Sequence, residues 1–260
     1  MSHERTVSEL FHHLLMKHPE LIKTLPLPFI PITEQTSIHF EGNFESHPIG
    51  QMVLKALFDS LGLNHHLPDW IVLLEGMSGK KYRYLINNLI RSMESPGYLE
   101  IGSWLGSTAC AAIWTNKVRA VCVDNWSQFQ GSKEKFQRNI KLAAGEHCDF
   151  TLIEDDFRRI DFSAMKLMDI YFFDGPHSEE DQYDGIRLAL PALNKHFVLI
   201  VDDYNLPEVR KGSERAIQAF GLNVSCAIKI RTTHDDSHPV IQCQNSDWHN
   251  GYYIAVISKP

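Results

Sequence analysis

"YLEIGSWLGSTACAAI", residues 98–113, is the stretch on which the fold turns. An apolar run from Tyr98 to Ile101 breaks at Gly102, passes a second glycine at Gly106, and resumes at once as a small-residue, helix-favouring segment. A strand that leaves through such a turn into a helix exposes the first backbone N–H groups of that helix. Glycine, having no Cβ, lets a ligand approach this backbone closely. Taken alone, the Gly-x-x-x-Gly spacing is equally a tight turn with nothing bound.

Working outward from it, the same kind of apolar run recurs. RAVCVD (119–124), DFTLIED (149–155), DIYFFDG (169–175) and FVLIVDD (197–203) read as strands, while QMVLKALFDSLGL (51–63) and KKYRYLINNLIRSM (80–93) read as helices. Alternating helix and strand, with strands apolar throughout, predicts a parallel sheet covered on both faces. VSCAIKIRT (224–232) and YYIAVIS (252–258) have only a polar loop between them, so they predict an antiparallel hairpin closing the sheet. The expected fold is α/β: a doubly wound seven-stranded sheet, mostly parallel, with a C-terminal antiparallel hairpin.

The division expected along the 260 residues is an N-terminal arm, 1–48, followed by one globular domain, 49–260. In the arm, Val7, Leu10, Phe11, Leu14 and Leu15 fall at helical spacing, and the proline-rich LPLPFIPIT (25–33) ends that helix. A structural strap, a lid and an oligomerisation arm are all open to this segment, and the apolar stripe gives a homodimer a surface on which to form. The chain has 25 Lys+Arg against 32 Asp+Glu, a formal charge of −7, which leaves nucleic-acid binding without its electrostatic source. Five scattered cysteines with no CxxC pair suggest neither a disulfide framework nor a zinc site, and a reducing cytoplasm fits them. The N-terminus lacks the apolar core of a signal peptide, and no run reaches membrane-spanning length, so no membrane partner is expected.

What the glycine turn can hold is narrowed by two absences. There is no GxGxxG, which a dinucleotide pyrophosphate needs, and no GxxxxGK[ST], which cradles a triphosphate. Asp124 ends the next strand, where a carboxylate can accept from both hydroxyls of a ribose. A ribose ligand without a pyrophosphate is what these residues describe together.

On these motifs the chain resembles the class I S-adenosylmethionine-dependent methyltransferases, which have a Rossmann-like fold. "LEIGSWLGS" is similar to that family's first motif and "VDNW" to its second-strand acid motif, and the resemblance covers roughly residues 50–260. It implies that Glu100 helps anchor the amino-acid end of the cofactor and that Gly102, Ser103, Gly106 and Ser107 line its methionine portion. It further implies Asp124 at the ribose, Asn125 or Trp126 at the adenine edge, and Asp156 with Phe157 at the adenine, Asp156 taking the exocyclic amine.

A second constellation stands at the fourth and fifth strand ends. Asp174, Asp202 and Asp203 would project from the sheet edge that carries the glycine turn, on strands about 4.8 Å apart. Three converging carboxylates repel and raise one another's pKa, and a hard divalent cation, Mg²⁺ or similar, relieves this. Any one of the acids could instead cap a following helix. The resemblance points the same way: Asp174, Asp202 and Asp203 resemble the ligands of metal-dependent small-molecule O-methyltransferases, with "VDDY" nearer the macrolide and aminocoumarin sugar type than the catechol type. "NKHF" stands where that pattern commonly has Gly-Gly before the fifth strand.

The reaction expected is transfer of a methyl group from S-adenosylmethionine to a hydroxyl of a small molecule, a natural product among the candidates. A cation would lower the pKa of that hydroxyl, with Asp174 or His177 taking the proton. Capping the helix that begins SEEDQYDGI is the other role open to His177. Met77, Ser78 and Gly79 precede a helix that could fold over the cofactor, as a similar segment does in the sugar-type enzymes. The loop carrying HDDSHP and DWHN (234–250) is rich in histidine and aspartate but has no ligand spacing, and is read as a polar loop. Two alternatives stand beside the main reading: a metal-independent methyltransferase with His177 as base, and a non-catalytic S-adenosylmethionine-binding protein. A nicotinamide-dependent dehydrogenase is weakened by the missing glycine.

Overall fold

The computed structural model describes residues 36–129 and 131–260. The helix expected at residues 7–15 and the proline-rich stretch lie outside them. Among the described residues eight strands, numbered in chain order, form one mixed sheet in the order β1-β7-β8-β6-β5-β2-β3-β4. The five parallel strands are β2 (Gly97–Ile101), β3 (Val118–Val123), β4 (Cys148–Ile153), β5 (Met168–Phe173) and β6 (Leu193–Val201). β7 (Asn223–Arg231) and β8 (Tyr252–Ser258) are the expected antiparallel pair, with β8 seated against β6 and β7 outside it.

The eighth strand, β1 (Ser37–Gly42), was not expected: SIHFEG pairs antiparallel with β7, so part of the segment read as an arm belongs to the sheet. Its alternation explains the placement. Ile38 and Phe40 are buried, while His39 and Glu41 face outward.

Strand alternation divides the core between the two sheet faces. Tyr98 and Glu100 point to one face, where Tyr98 joins α1 (Pro48–Leu61), α3 (Lys80–Ser92) and α4 (Ser107–Ile113) in one apolar cluster. Leu99 and Ile101 point to the other, beneath α6 (Glu179–Ala189) and α7 (Pro207–Ala219). The short α2 (Asp69–Val72) and α5 (Lys133–Ala143) complete the first layer. Each fully buried aliphatic side chain of this kind contributes about 1.5–3 kcal/mol. Among the described residues no helix is long and apolar enough to cross a membrane.

Local signals start the helices that frame the sheet edge. Pro48 opens α1 behind a His47 cap, and Ser178 and Asp181 form a reciprocal capping box on α6. His177 is therefore not the α6 cap. α3 is capped from elsewhere: Lys80 N donates to Ser246 O at 2.9 Å and Lys81 N to Asp247 O at 3.0 Å, so the loop before β8 docks on its start.

Candidate active site

The glycine turn takes its shape from one contact. Gly102 has φ +87°, and a Cβ there would lie 1.8 Å from the Asp174 carbonyl oxygen, so only glycine lets the ends of β2 and β5 meet. Gly106, φ +83°, caps α4 in the left-handed region and faces the Phe136 ring, where a Cβ would lie 3.0 Å from Cδ2. It forms the turn and does not line the cavity.

That turn borders a cavity of about 430 Å³ at the C-terminal edge of the parallel strands, a size suited to a small ligand. Gly102, Ser103, Ser107, Asp124, Asn125 and Asp156 all line it, as does Phe157. Asp124 is already engaged: Oδ2 accepts from Trp104 N at 2.7 Å and Oδ1 from Trp126 N at 2.6 Å, so it ties the glycine turn to the loop after β3. Each carboxylate oxygen retains a second lone pair for a ligand hydroxyl. Asp156 Oδ1 caps the short turn Phe157–Arg159 by accepting from Arg158 N at 2.9 Å. The Phe157 ring packs edge-on against Phe173, 5.5 Å between centroids, and is 5% exposed.

Two expected cofactor residues stand back from the cavity. Trp126 turns its ring onto Phe136, donates through Nε1 to Trp104 O at 2.9 Å, and so braces the wall without forming it. Glu100 is fully buried on the α4 side of β2 because the strand's alternation sends it there. Oε1 accepts from Thr108, which itself lines the cavity, at 2.9 Å, and Oε2 accepts from Tyr98. Burial pushes its carboxyl up to about 7 against the pull of these hydrogen bonds.

The acids at the far strand ends do not behave as a uniform trio. One ligand atom each from Asp174, His177 and Asp203 lie within 4.8 Å of one another. Asp202, expected in that group, is absent from it. Its Oδ1 accepts from Asp203 N at 2.8 Å, and its buried carboxyl interacts with Asp174 on one side and with Tyr82 and Tyr252 in the interior on the other. Neighbouring strand residues point opposite ways, and Asp203 reaches the cavity only because the chain turns there with φ +55°.

His177 Nε2 lies 2.7 Å from Asp203 Oδ2. Burial pulls His177 down, but the hydrogen bond and charge of Asp203 raise it above its ordinary value overall. Asp203 is held below the usual carboxylate range in spite of its burial, by His177 first and then by His249 and Asn250. Asp174 goes the other way, pushed well up by burial and by the charges of Asp202 and Asp203. A low-lying acid, a histidine and a high-lying acid on one floor form a proton-handling group.

His249 and Asn250 went unforeseen. Asn250 Nδ2 donates to Asp203 Oδ1 at 2.6 Å, and His249 lines the cavity with Nε2 4.0 Å from the same oxygen. The signal was present in the topology: β8 runs antiparallel to β6, so it begins where the parallel strands end, and residues just before Tyr252 fall beside Asp203. Above the cavity, Met77 lines the opening and Ser78 Oγ stands 3.0 Å from Ser107 Oγ. Arg83, fully buried, holds that cover by donating to the carbonyls of Ile71, Val72, Leu74 and Ser78 and to Ser78 Oγ.

Residues 99–204 match a family model described as a methyltransferase domain. A search of the curated proteins finds no match to the chain. Among solved structures, the chain is similar to the O-methyltransferase TomG from Streptomyces achromogenes, solved in complex with SAM, at 16% identity over 80% of this chain and 90% of that one, TM-score 0.48. It is also similar to precorrin-6y C5,15-methyltransferase from Geobacter metallireducens, at 18% identity over 68% and 88%, TM-score 0.47. A third likeness is to TrmN from Thermus thermophilus, at 13% identity and TM-score 0.46, where 68% of this chain spans about half (49%) of that one. Values this low transfer neither substrate nor mechanism. The matched segment runs from the glycine turn to the Asp202–Asp203 strand end and contains most of the cavity's lining, so the part of this chain that builds the cavity is similar to a methyltransferase domain.

Proposed function

We propose that the protein transfers a methyl group from S-adenosylmethionine to a hydroxyl of a small molecule, a natural product being one such class. The observation that carries this reading is the cluster of Asp174, His177 and Asp203 on the floor of the cavity that Gly102, Ser103 and Asp124 border. On this reading, residues suited to the cofactor and residues suited to accepting a proton line one chamber. The negative formal charge favours a small hydroxylated acceptor over a nucleic acid, and a cytoplasmic location and a homodimer go with this reading.

S-adenosylmethionine supplies the electrophilic methyl group. Asp124 would accept from its ribose hydroxyls, Asp156 from its adenine amine, and the Gly102–Ser103 backbone would border its methionine end. The substrate hydroxyl comes to lie beside His177, whose Nδ1 can take its proton while Asp203, accepting from Nε2–H, holds the ring in place and balances the imidazolium charge. Positioning the oxygen in line with the methyl donor accounts for the remainder of the acceleration.

The donor set also fits a divalent cation. Two carboxylates and an imidazole nitrogen converge, and a cation would relieve the repulsion that, after burial, drives Asp174 upward. Asp174 and Asp203 would hold it, with His177 or a repositioned Asp202 as third ligand, and it would lower the pKa of a substrate hydroxyl. The close His177–Asp203 hydrogen bond favours the second reading, a metal-independent base.

One experiment separates them. Methyl transfer from labelled S-adenosylmethionine is followed over a panel of hydroxylated small molecules, with EDTA and with Mg²⁺ restored. Loss in EDTA and recovery with Mg²⁺ support the cation; activity indifferent to EDTA but lowered about 10²-fold or more by His177→Ala supports the base. No transfer to any panel member, with S-adenosylhomocysteine still bound, leaves the binding protein as the reading.

A further inference from the structure

The loop before β8 brings to the cavity a group that the methyl-transfer scheme leaves without a task. His249 is 7% exposed and lines the cavity wall. It is fixed at three points: Nδ1 accepts from Cys243 N at 3.1 Å, its backbone N–H donates to Ser246 Oγ at 2.8 Å, and its carbonyl accepts from Thr232 Oγ1 at 2.9 Å. Its backbone, φ +44°, is strained and held by these contacts. Asn250, next in the chain, fastens the loop to Asp203.

A backbone N–H can only donate. Nδ1 is therefore the lone-pair nitrogen of the ring, and the proton of the neutral imidazole stands on Nε2. Nε2 lies 4.0 Å from Asp203 Oδ1, beyond hydrogen-bond reach, and among the described residues it has no hydrogen-bond partner. The same tautomer keeps His249 out of any cation site, because a ligand nitrogen must offer its lone pair. What remains is a rigid N–H donor facing the cavity.

Resting on the reading that O-methyl transfer takes place here, we propose that His249 Nε2–H donates to an acceptor oxygen of the substrate close to the hydroxyl that is methylated. It thereby selects molecules carrying a neighbouring carbonyl, ether or second hydroxyl over those with an isolated hydroxyl. Asp203 sets the spacing, since Oδ2 meets His177 at 2.7 Å and Oδ1 lies 4.0 Å from His249. The two imidazoles flank a single carboxylate, so a substrate oxygen at His177 lies within a few bonds of one at His249. A pocket built to hydrogen-bond a substrate group discriminates strongly against the analogue that lacks it, because its own donor is then left unpaired.

The test titrates the full chain, saturated with S-adenosylhomocysteine and in EDTA so that chelation by a metal cannot contribute. The probes are catechol, 2-methoxyphenol and 2-hydroxyacetophenone, each against phenol. Binding at least tenfold tighter than phenol is expected for at least one acceptor-bearing probe. His249→Phe should reduce that preference to within twofold, and His249→Gln, which keeps an N–H donor, should retain most of it. Both variants should bind S-adenosylhomocysteine within threefold of the parent. No preference in the parent, no binding of any probe, or a preference that survives in His249→Phe overturns the proposal. Should His249→Phe fail to fold, the ring ¹⁵N shifts of the parent decide: a bare Nδ1 and a protonated Nε2 that shifts with 2-methoxyphenol are expected, and a protonated Nδ1 overturns it. Failure of the methyl-transfer reading looks different, since the preference and its loss would appear while no probe gains a methyl group from S-adenosylmethionine.

Discussion

Glu100 is an acid whose ionised form its surroundings oppose. Buried on the α4 side of β2, with its carboxyl raised from 4.5 to about 7 by desolvation, it favours the protonated form in the folded chain. Its contribution to stability is therefore complete below pH 4.5, declines as pH rises, and is lost above about pH 7. That amounts to about 3 kcal/mol for a shift of this size. Denaturant melts of the parent and Glu100→Gln should show the parent losing that much relative to the variant between pH 4.5 and pH 8; parallel curves would mean that Glu100 is not desolvated. At this scale the sequence was a partial guide. The strand-end acids and the glycines were legible because each sits where a strand must stop. The parting of Asp202 from Asp203 was not, since it depends on one left-handed residue. Nor was the entry of His249, which arrives by docking of a loop with no spacing pattern.

The elements around the cavity are organised by α3. Its start is capped by Ser246 and Asp247 carbonyls, Lys81 pairs with Asp247 at 2.9 Å, and its Arg83 gathers the carbonyls of residues 71–78. One helix thus holds both the loop that carries His249 and the cover that carries Met77. Lysine cannot replace the guanidinium, because a single ammonium cannot reach carbonyls on several sides. Arg83→Lys should lose about 3 kcal/mol of stability, with hydrogen exchange quickening at residues 71–78 more than in β5 or β6. Uniform quickening would deny Arg83 its local role. The sequence marked the start of α3 and a cover ahead of it, yet gave no hint of the knot, because a buried arginine has no local signature that separates it from a surface one.

Across the whole molecule the sheet decides what depends on what. The five parallel strands and the antiparallel pair were readable from apolar runs of strand length, whereas β1 lay hidden behind the proline-rich stretch although its alternation was present. β1 covers the outer edge of β7 with Ile38 and Phe40 turned inward. Phe40→Ala should lose about 3–5 kcal/mol, and removal of residues up to 42 should leave β7 an open edge and promote association. Equilibrium denaturation and light scattering would read the two effects, and an unchanged midpoint would make β1 dispensable.

Among the described residues β8 is the only strand that touches both β6 and β7, and it follows every other described strand in the chain. Until it slides into place, the ribbon of β1 and β7 has nothing to join, and the parallel half of the sheet ends in bare amide and carbonyl groups along β6. The residues that lead into it, His249 and Asn250, are those that settle against Asp203, so closing the gap in the sheet and finishing the chamber are one event. A chain ending before Tyr252 would lack the strand that bridges the two halves of the sheet and that anchors His249 and Asn250 beside Asp203.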